Sequence, residues 1–541
     1  MNNSPENIVA EYQAARRFKS SIGKHGLYEQ GRINERFFVG DQWHGAAVGG
    51  ERPLVRHNVI KRIGEYKIAQ LIGSSVSVKY TAEGFSETLE SKKLTEREMA
   101  ELAKSKNCIY APLKSENEIS MLVSALNSYK RTTESRVKLS SVIDLALKDA
   151  FVKGTGIVYT YFDPDIKTGL YADKPFGKQI LGDIVAERIK VEDVYFGDPT
   201  LSSVQNQPYI ILTEEKSAAY LAAEAARFGA PKSTVNRLIA KGDGKQTVFT
   251  KLYKAPLKNG EIKVFATRVT EDTVIRPEFS MGISLYPLSV FVWERRDGCI
   301  YGDSEITYII PNQIAINRMI TASTWAAMSA GMPLMVVNGD IVSGEITNDP
   351  GQIIKVYGAG EEISSAVRFI NPPDYSSGYN QSVNNLIYNT LTQCGANEAA
   401  LGDLEATNTS AIIELRDAAA GYLLPLKNRF YDFVSDIATV WAEFFFTMYG
   451  KRCLKITDKN GVWYFPFDAA RYKDLVLSVT ATAGEGITRN EKEGIAALSK
   501  LLEQGAITPA QFVKRLPTGT VPDADELVEE LKREEKKNER L

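Results

Sequence analysis

The pattern closest to a nucleotide-binding motif is the stretch GDGKQT at residues 242–247. A phosphate-binding loop of the Walker type places Ser or Thr directly after its lysine so that the hydroxyl reaches the metal ion, and Gln246 stands there instead. Gly154 and Gly156 likewise lack the third glycine of a dinucleotide-binding fingerprint, because position 159 is Tyr. We interpret the first stretch as a hairpin turn and the second as a turn between a helix and a strand.

Side chains suited to nucleophilic, acid–base or metal chemistry are few and scattered. The chain contains no HExxH helix and no GxSxG elbow. The histidines are His25, His44 and His57, and the cysteines are Cys108, Cys299, Cys394 and Cys453. The cysteines have no CxxC spacing, so we interpret them as reduced and structural. Paired acids at 163/165 and 361/362 suit exposed turns, and we expect no catalytic, metal or cofactor site.

The composition is that of a globular protein with several parts. The chain has 541 residues, of which 44% are hydrophobic and 24% charged, and its formal net charge is −2. This balance argues against nucleic-acid binding through overall charge, although it leaves room for a DNA path formed locally or by several copies. The N-terminal residues contain no apolar core of a signal peptide, so we expect none.

Residues 303–331 form an unusual predicted helix, around which we expect the chain to be organised. Asp303 or Ser304 can accept hydrogen bonds from the first turn, and Gly331 ends the pattern. Pro311 either kinks this helix or marks its beginning. Arg318 is its only basic residue. A long helix with so little charge crosses a membrane, fills a core or packs against copies of itself.

The uncharged residues 319–338 approach the length of a membrane span. They include Gly331 and Pro333 and several Ser and Thr residues, and Trp325 lies well inside the segment rather than at an end. Small residues at this density favour close helix–helix packing. The alternative is a membrane-associated scaffold or binding protein that uses residues 319–338 as a re-entrant segment.

Periodicity and turn signals predict an α+β fold. The predicted helices cover residues 4–40, 59–72, 85–150 with a break at Pro112, one or two helices in 217–240, 376–394, 409–448 with a kink at Pro425, and 487–541. The predicted strands are 76–80, 157–162, 184–189, 191–196, 208–213, 248–254, 262–268, 288–293, 333–337, 352–357 and a hairpin within 451–483.

Several short patterns occur in an order that is similar to that of a known family. Residues 37–43 read FFVGDQW and are followed by Arg52-Pro53 and Asn58. Gly154 and Gly156 precede a predicted strand, and Asp193-Val194-Tyr195 is followed by Asp198-Pro199. The pattern that leads into the long helix consists of Tyr286-Pro287, Trp293, Asp297-Gly298, Gly302, Ser304, Gln313 and Asn317. This order resembles that of portal proteins, the head-to-tail connectors of tailed double-stranded-DNA bacteriophages. The resemblance covers most of residues 15–450 and rests on order, because each pattern is short.

The resemblance implies a portal fold with an α/β wing, a two-helix stem, a small β-containing clip, a long kinked helix after a tunnel loop, and a helical C-terminal crown. The implied parts are the wing at 1–303 and 449–483, stem helices at 304–331 and 375–394, the clip at 332–374, the tunnel loop at 395–408, the long kinked helix at 409–448, and the crown at 484–541.

The resemblance also implies a function without catalysis or cofactors. Twelve subunits would form a ring at one capsid vertex, and double-stranded DNA would pass through its channel during packaging and ejection. The implied partners are the major capsid protein, the terminase large subunit and later the adaptor or tail proteins, with a scaffolding protein as a further candidate and no membrane. The protein would be found in the virion, and in the host cytoplasm during assembly.

The candidate DNA-facing residues follow from these assignments. In the tunnel loop they are Asn397, Glu398, Asp403, Glu405, Thr407 and Asn408, a set without Lys or Arg that would let a phosphate backbone slide past. An ordinary surface loop is the alternative for this segment. In the stem, Arg318 faces DNA or forms an ion pair with a neighbouring subunit. In the clip, Lys355 and Arg368 meet DNA or a head-completion protein, or are solvated charges.

Overall fold

The fold is that of a computed structural model. It describes residues 3–43, 54–73, 76–82, 116–171, 179–240, 242, 244–330, 334–337, 340, 342–343, 355–357, 367–370, 376–396, 409–458, 461–472, 475, 477–483, 490–515 and 531.

Helices form more than half of the structure, which is 54% helical and 26% strand. The α-helices are α1 Pro5–Ser21, α2 Gly26–Val39, α3 Val59–Gly73, α4 Glu116–Val137, α5 Leu139–Lys153, α6 Ala218–Arg227, α7 Lys232–Ala240, α8 Glu305–Ala330, α9 Ser376–Gln393, α10 Thr409–Met448, α11 Asn490–Glu503 and α12 Pro509–Arg515. Short 3₁₀ turns lie at Val191–Asp193, Val204–Asn206 and Ala469–Tyr472.

The strands form small antiparallel sheets. They are β1 Val76–Ala82, β2 Thr155–Tyr171, β3 Gln179–Ile189, β4 Val194–Phe196, β5 Tyr209–Ser217, β6 Lys245–Pro256, β7 Ile262–Val269, β8 Val274–Ser280, β9 Leu288–Val292, β10 Leu334–Val337, β11 Val342–Ser343, β12 Lys355–Val356, β13 Val367–Ile370, β14 Lys451–Asp458, β15 Gly461–Asp468 and β16 Leu477–Ala483. The largest sheets have the orders β4-β5-β6-β7-β8 and β3-β2-β9. Helices and antiparallel strands occupy separate stretches, so the predicted α+β class is confirmed.

One large hydrophobic core joins most of these elements, and two smaller clusters lie beneath α6 and α7 and beside α1. The biggest fully buried side chains of the large core include Phe151, Trp293, Tyr301 and Trp441, which come from three distant parts of the chain. The ring of Trp293 packs edge-to-face on that of Phe151, with centroids 5.1 Å apart. Strand β9, which ends at Val292, therefore brings the start of the long helix α8 into the middle of the core.

Several predicted elements differ from the structure. The described part of the helix expected at 85–150 is two helices, α4 and α5, which are separated at Lys138, where the φ angle is 54°. The single helix expected at 4–40 is wrong, since it is two helices separated by a short turn; Gly23 in this turn and Gly26 at the start of α2 have positive φ angles of 65° and 72°. This left-handed backbone interrupts the hydrogen-bond ladder of a helix. The strand expected at 191–196 is reduced to β4 because the turn Val191–Asp193 comes first. The break predicted at Pro112 lies outside the described residues.

Most other local predictions are confirmed. The Ser4 hydroxyl accepts a hydrogen bond from the Asn7 amide, as expected of the residue that precedes a helix. Gly154 forms the turn between α5 and β2, as expected. The hairpin turn expected at 242–247 is wrong, because helix α7 precedes Gly242 and β6 already begins at Lys245. Helix α8 begins at Glu305, so Pro311 lies inside it and does not mark its beginning. Helix α10 spans Thr409–Met448 as predicted and contains Pro425.

Candidate functional site: an anchored helix pair

Helices α8 and α9 form an antiparallel pair. The Asn312 side-chain amide donates to the Thr390 hydroxyl at 3.1 Å, and the Ser323 hydroxyl donates to the Asn380 amide oxygen at 2.8 Å. The earlier residue of α8 contacts the later residue of α9, and the later residue of α8 contacts the earlier residue of α9, so the helices are antiparallel. Helix α8 has 26 residues and is therefore about 39 Å long at 1.5 Å per residue. Both contacts join neutral groups, so the pair is held without ion pairs at these points.

The beginning of α8 is fixed to the end of helix α5. The Ser304 hydroxyl donates to the Phe151 carbonyl oxygen at 2.6 Å and accepts from the Ile306 amide at 3.2 Å. The Gly302 amide donates to the Thr155 hydroxyl at 2.9 Å. The two backbones lie so close that a Cβ at Gly154 would be 2.1 Å from the Gly302 carbonyl oxygen. Only glycine fits at this contact.

A buried ion pair holds the first turn of α8. The Lys67 Nζ atom lies 2.6 Å from Glu305 Oε1, and the Trp293 indole N–H donates to Glu305 Oε2 at 3.0 Å. Arg429 of α10 donates in turn to the Trp293 carbonyl oxygen at 2.7 Å. Burial, followed by the nearby Glu305 carboxylate, raises the pKa of the Cys394 thiol to about 12. Cys394 follows α9, so the start of α8 and the end of α9, which lie at the same end of the antiparallel pair, both meet this cluster.

Polar side chains of α8 bind the backbone that precedes α3. Gln313 Oε1 accepts from the Val59 amide at 3.0 Å, and its side-chain amide donates to the His57 carbonyl oxygen at 2.7 Å. Asn317 Oδ1 accepts from the His57 amide at 3.0 Å. The Thr321 hydroxyl accepts from the Val55 amide at 3.1 Å. These positions are four residues apart, so they lie on one face of the helix.

The same network reaches the end of α2. Asn317 donates to the Gln42 side-chain oxygen at 2.6 Å, and Gln42 donates to the Phe37 carbonyl oxygen at 3.0 Å. The Asn58 amide donates to the Phe38 carbonyl oxygen at 3.0 Å. Short patterns that lie up to 280 residues apart in the sequence therefore converge on the first four turns of α8.

Part of this site is predictable from the sequence. The short patterns include Gln42, Asn58, Gln313 and Asn317, which the structure brings together, whereas Lys67 belongs to none of them. Lys67 is buried on the face of α3 that also carries Ile60, Ile63, Gly64, Ile68 and Leu71. A lone lysine at helical spacing within an apolar face was the available signal, because a charge there requires a partner.

The opposite face of α8 is exposed and nearly uncharged. Tyr308 is 61% exposed and Trp325 is 41% exposed, and Arg318 lies between them at helical spacing. Tyr388 of α9 is 50% exposed. Arg318 forms no hydrogen bond or ion pair with any other residue that the structure describes. Exposed aromatic side chains along one helix pair are typical of a surface that contacts another molecule.

The predicted clip residues lie on two short strands of the described ranges. Lys355 is exposed in β12, which pairs with β11, whereas Arg368 lies in β13 opposite Val336 of β10. These two clip candidates thus belong to different two-stranded sheets. The tunnel-loop candidates Asn397, Glu398, Asp403, Glu405, Thr407 and Asn408 lie outside the described residues.

A metal centre and a membrane-spanning helix are the two alternatives to such a contact surface. No group of three or more His, Cys, Asp or Glu side chains within them could hold a metal ion. None of the helices in those ranges is long and apolar enough to cross a membrane. Residues 319–338, considered above as a membrane segment, contain the last turns of α8 and the strand β10.

No protein-family model matches the chain, and no curated protein matches it. The helix pair, its surroundings and the order of the short patterns are therefore the features that bear on function.

Proposed function

We propose that the chain is the subunit of a phage portal, a ring through which double-stranded DNA is packaged and ejected. The observation that carries this proposal is the anchored pair α8–α9, with its exposed and almost uncharged face. The residues on which the resemblance to portal proteins depends, among them Gln42, Gln313 and Asn317, support the proposal by meeting at the base of this pair.

The physical chemistry of the pair suits a ring with a channel. A closed ring joins one face of each subunit to a different face of the next, so long uncharged helices can pack side by side without unpaired charges. Each phosphate that a protein neutralises adds salt-dependent affinity for DNA, and a densely basic channel would therefore slow its movement. Arg318 is the only charged residue between Glu305 and Ala330 and would supply one cation per subunit.

In this proposal, α8 and α9 are the stem and residues 332–374 are the clip. Residues 395–408 are the tunnel loop, 409–448 the long kinked helix, and 484–541 the crown. Residues 1–303 and 449–483 form the wing. Twelve subunits assemble at one capsid vertex and contact the major capsid protein, the terminase large subunit and later the tail proteins, with a scaffolding protein as a further partner. The terminase supplies the energy, so we expect no ATPase activity from this chain.

Electron microscopy of the purified protein tests the proposal. We expect end views of a ring with a central channel, and mass photometry should give one closed oligomer of about twelve subunits. A protein that stays monomeric or dimeric at micromolar concentration, in low and in physiological salt, would contradict the proposal. Arg318→Gln then separates two roles: loss of the ring indicates an ion pair between subunits, whereas an intact ring with altered DNA passage indicates contact with DNA.

The tunnel-loop assignment needs a substitution that does not disturb the fold. Gly395 is unsuitable, because its φ angle is +69° and an added Cβ would lie 2.9 Å from the Tyr422 Cβ atom. A bulky residue there would strain the packing of α9 on α10. Gly402 remains the test: Gly402→Phe should leave ring assembly intact and impair DNA packaging. Normal packaging by this variant would contradict the assignment.

A further inference from the structure

Helix α9 exposes a face that is polar and without charge. Thr390, which contacts α8, is buried, and so are Val383 and Leu391 on the same side of the helix. The other side of α9 is exposed between residues 381 and 393, and every side chain on it is neutral and can form hydrogen bonds. These side chains, here called the amide face, are Gln381, Ser382, Asn384, Asn385, Tyr388, Asn389, Thr392 and Gln393.

The amide face does not have the composition that favours a helix exposed only to water. Asparagine is a poor helix former, because its side chain competes for backbone hydrogen bonds, whereas Lys, Glu and Arg are good helix formers. Packing does not constrain exposed positions, so charged residues would stabilise α9 there. Yet Asn384, Asn385 and Asn389 occupy three of these positions, and residues 376–396 include no charge in a chain that is 24% charged. This choice of residues indicates a surface that requires hydrogen-bonding groups without charge.

The exposed stripe of α8 has a different chemistry. Its side chains lie on one side of the helix at helical spacing, and all but one of them are uncharged and largely apolar. They are Tyr308, Pro311, Arg318, Ala322 and Trp325. Asn312 and Ser323, which bind α9, are not among them, so α9 lies beside this stripe without covering it.

The two surfaces suit different surroundings. Apolar side chains can be buried against another protein without leaving unpaired polar groups, so the α8 stripe suits a contact between subunits. Each amide of α9 carries donors and an acceptor, and burial in a protein contact would require a partner for every one of them. Water and phosphate oxygens satisfy such groups without a fixed geometry. The amide face therefore suits a hydrated surface along which a polar molecule moves.

We propose that the amide face of α9 lines the channel and contacts the phosphate backbone of double-stranded DNA, while the α8 stripe, including Arg318, lies between neighbouring subunits. The inference rests on the ring proposed above, because it assigns the orientation of the helix pair within that ring. Side-chain amides and hydroxyls donate hydrogen bonds to phosphate oxygens. Since neutral donors do not replace counterions, they add little salt-dependent affinity, and the DNA is guided without being retained.

Photo-crosslinking in DNA-filled particles tests which surface contacts DNA. The photoreactive residue p-benzoylphenylalanine replaces Asn385 of the amide face in one variant and Trp325 of the α8 stripe in another. We expect the Asn385 variant to yield peptides that carry nucleotides after nuclease digestion, and the Trp325 variant to yield adducts between two copies of the chain. Adducts of the Asn385 variant with protein alone would overturn the inference.

A second measurement uses an added charge. Asn385→Lys should fold and form rings, because the position is exposed and lysine is the better helix former. One further cation per subunit beside the DNA should slow packaging at least threefold in low salt, and higher salt should restore part of the rate. Asn236→Lys, an equivalent change at an exposed position of α7, should package DNA at the wild-type rate.

The outcomes separate this inference from the ring proposal. Loss of rings in Asn385→Lys, with rings retained in Asn236→Lys, would show that the amide face belongs to a subunit contact. That result would overturn the inference while the ring proposal stands. Packaging by Asn385→Lys at the wild-type rate in low salt would overturn it as well. Absence of rings in the wild type would remove both.

Discussion

At the scale of single residues, buried charges determine which substitutions the fold tolerates. Lys67 and Glu305 are almost fully buried and 2.6 Å apart, whereas Lys61 and Glu65 are exposed at 3.7 Å on the same helix. We expect Lys67→Met to lower the free energy of unfolding by about 3–5 kcal/mol, because the Glu305 carboxylate loses its cation in the core. Urea denaturation followed by circular dichroism measures the change.

Lys61→Met is the matched control, and it should cost less than about 1 kcal/mol because exposed ion pairs contribute little. The double variant Lys67→Met/Glu305→Met should recover part of the loss, since it removes the unpaired carboxylate. Equal effects of Lys67→Met and Lys61→Met would show that the buried pair does not hold the first turn of α8.

Lys19 provides a pH-dependent prediction. Its side chain is fully buried, and Nζ donates to the Val191 carbonyl oxygen at 2.5 Å and lies 3.8 Å from the centre of the Tyr195 ring. Burial lowers its pKa well below the usual value. At pH values between the lowered pKa of Lys19 and the ordinary lysine pKa of about 10.4, the unfolded chain binds more protons than the folded chain. The free energy of unfolding therefore rises with pH in this range.

The free energy of unfolding of the wild type, minus that of Lys19→Met, should therefore increase from pH 7 to pH 9.5. Chemical denaturation at both values measures this difference, and comparison with the variant cancels most other titrating groups. Lys24→Met, at an exposed position near the end of α1, should show no such increase. A difference that is constant with pH would mean that Lys19 keeps an ordinary pKa in the fold.

At the scale of elements, the closest backbone contact joins the α5–β2 turn to the approach to α8. Gly154 and Gly229 both have positive φ angles, +85° and +75°, but only Gly154 has another backbone within 4 Å of an added Cβ. Gly229→Ala should cost about 1–2 kcal/mol from backbone strain alone. Gly154→Ala should cost distinctly more, because the Gly302 carbonyl oxygen must move. Thermal unfolding of both variants gives the comparison.

A similar melting temperature for both variants would show that the backbones at Gly154 and Gly302 can separate easily. Gly302→Ala offers an independent check from the other side of the contact. An added Cβ there would lie 2.6 Å from the Gly154 carbonyl oxygen, so this variant should resemble Gly154→Ala rather than Gly229→Ala.

Local elements were predictable from the sequence, whereas their pairing was not. Thr409–Met448 shows helical periodicity over its whole length, and the predicted boundaries are confirmed despite Pro425. Strand β1 pairs with β16, about 400 residues later, and no local pattern indicates such a contact. In the same way, the sequence singled out Gln313 but could not identify its partners, because these are backbone atoms of residues 57–60. Backbone groups carry no signature in a sequence.

At the scale of the whole molecule, the exposed face of α8 should determine association. Tyr308→Lys places a charge where the ring proposal has neighbouring helices in contact. We expect this variant to fold with an unchanged melting temperature in its dissociated state, since the side chain is 61% exposed, and to fail to form rings. Size-exclusion chromatography with light scattering measures the mass.

Tyr220→Lys is the corresponding control, because Tyr220 is 53% exposed on α6, which is remote from the helix pair in the sequence. This variant should assemble as the wild type does. Rings formed equally well by Tyr308→Lys would show that subunits associate through another surface. High salt should not rescue the variant if its effect is the burial of a charge rather than repulsion between charges.

The bonds from α8 to the chain before α3 have a consequence for evolution. Gln313, Asn317 and Thr321 supply side chains, whereas residues 55–60 take part through amide and carbonyl groups that every sequence provides, proline amides excepted. Mutational tolerance should therefore be unequal across this contact. Residues 55 and 57 can diverge more readily among descendants of this gene than the three positions on α8, so drift would conceal one partner of a contact that persists.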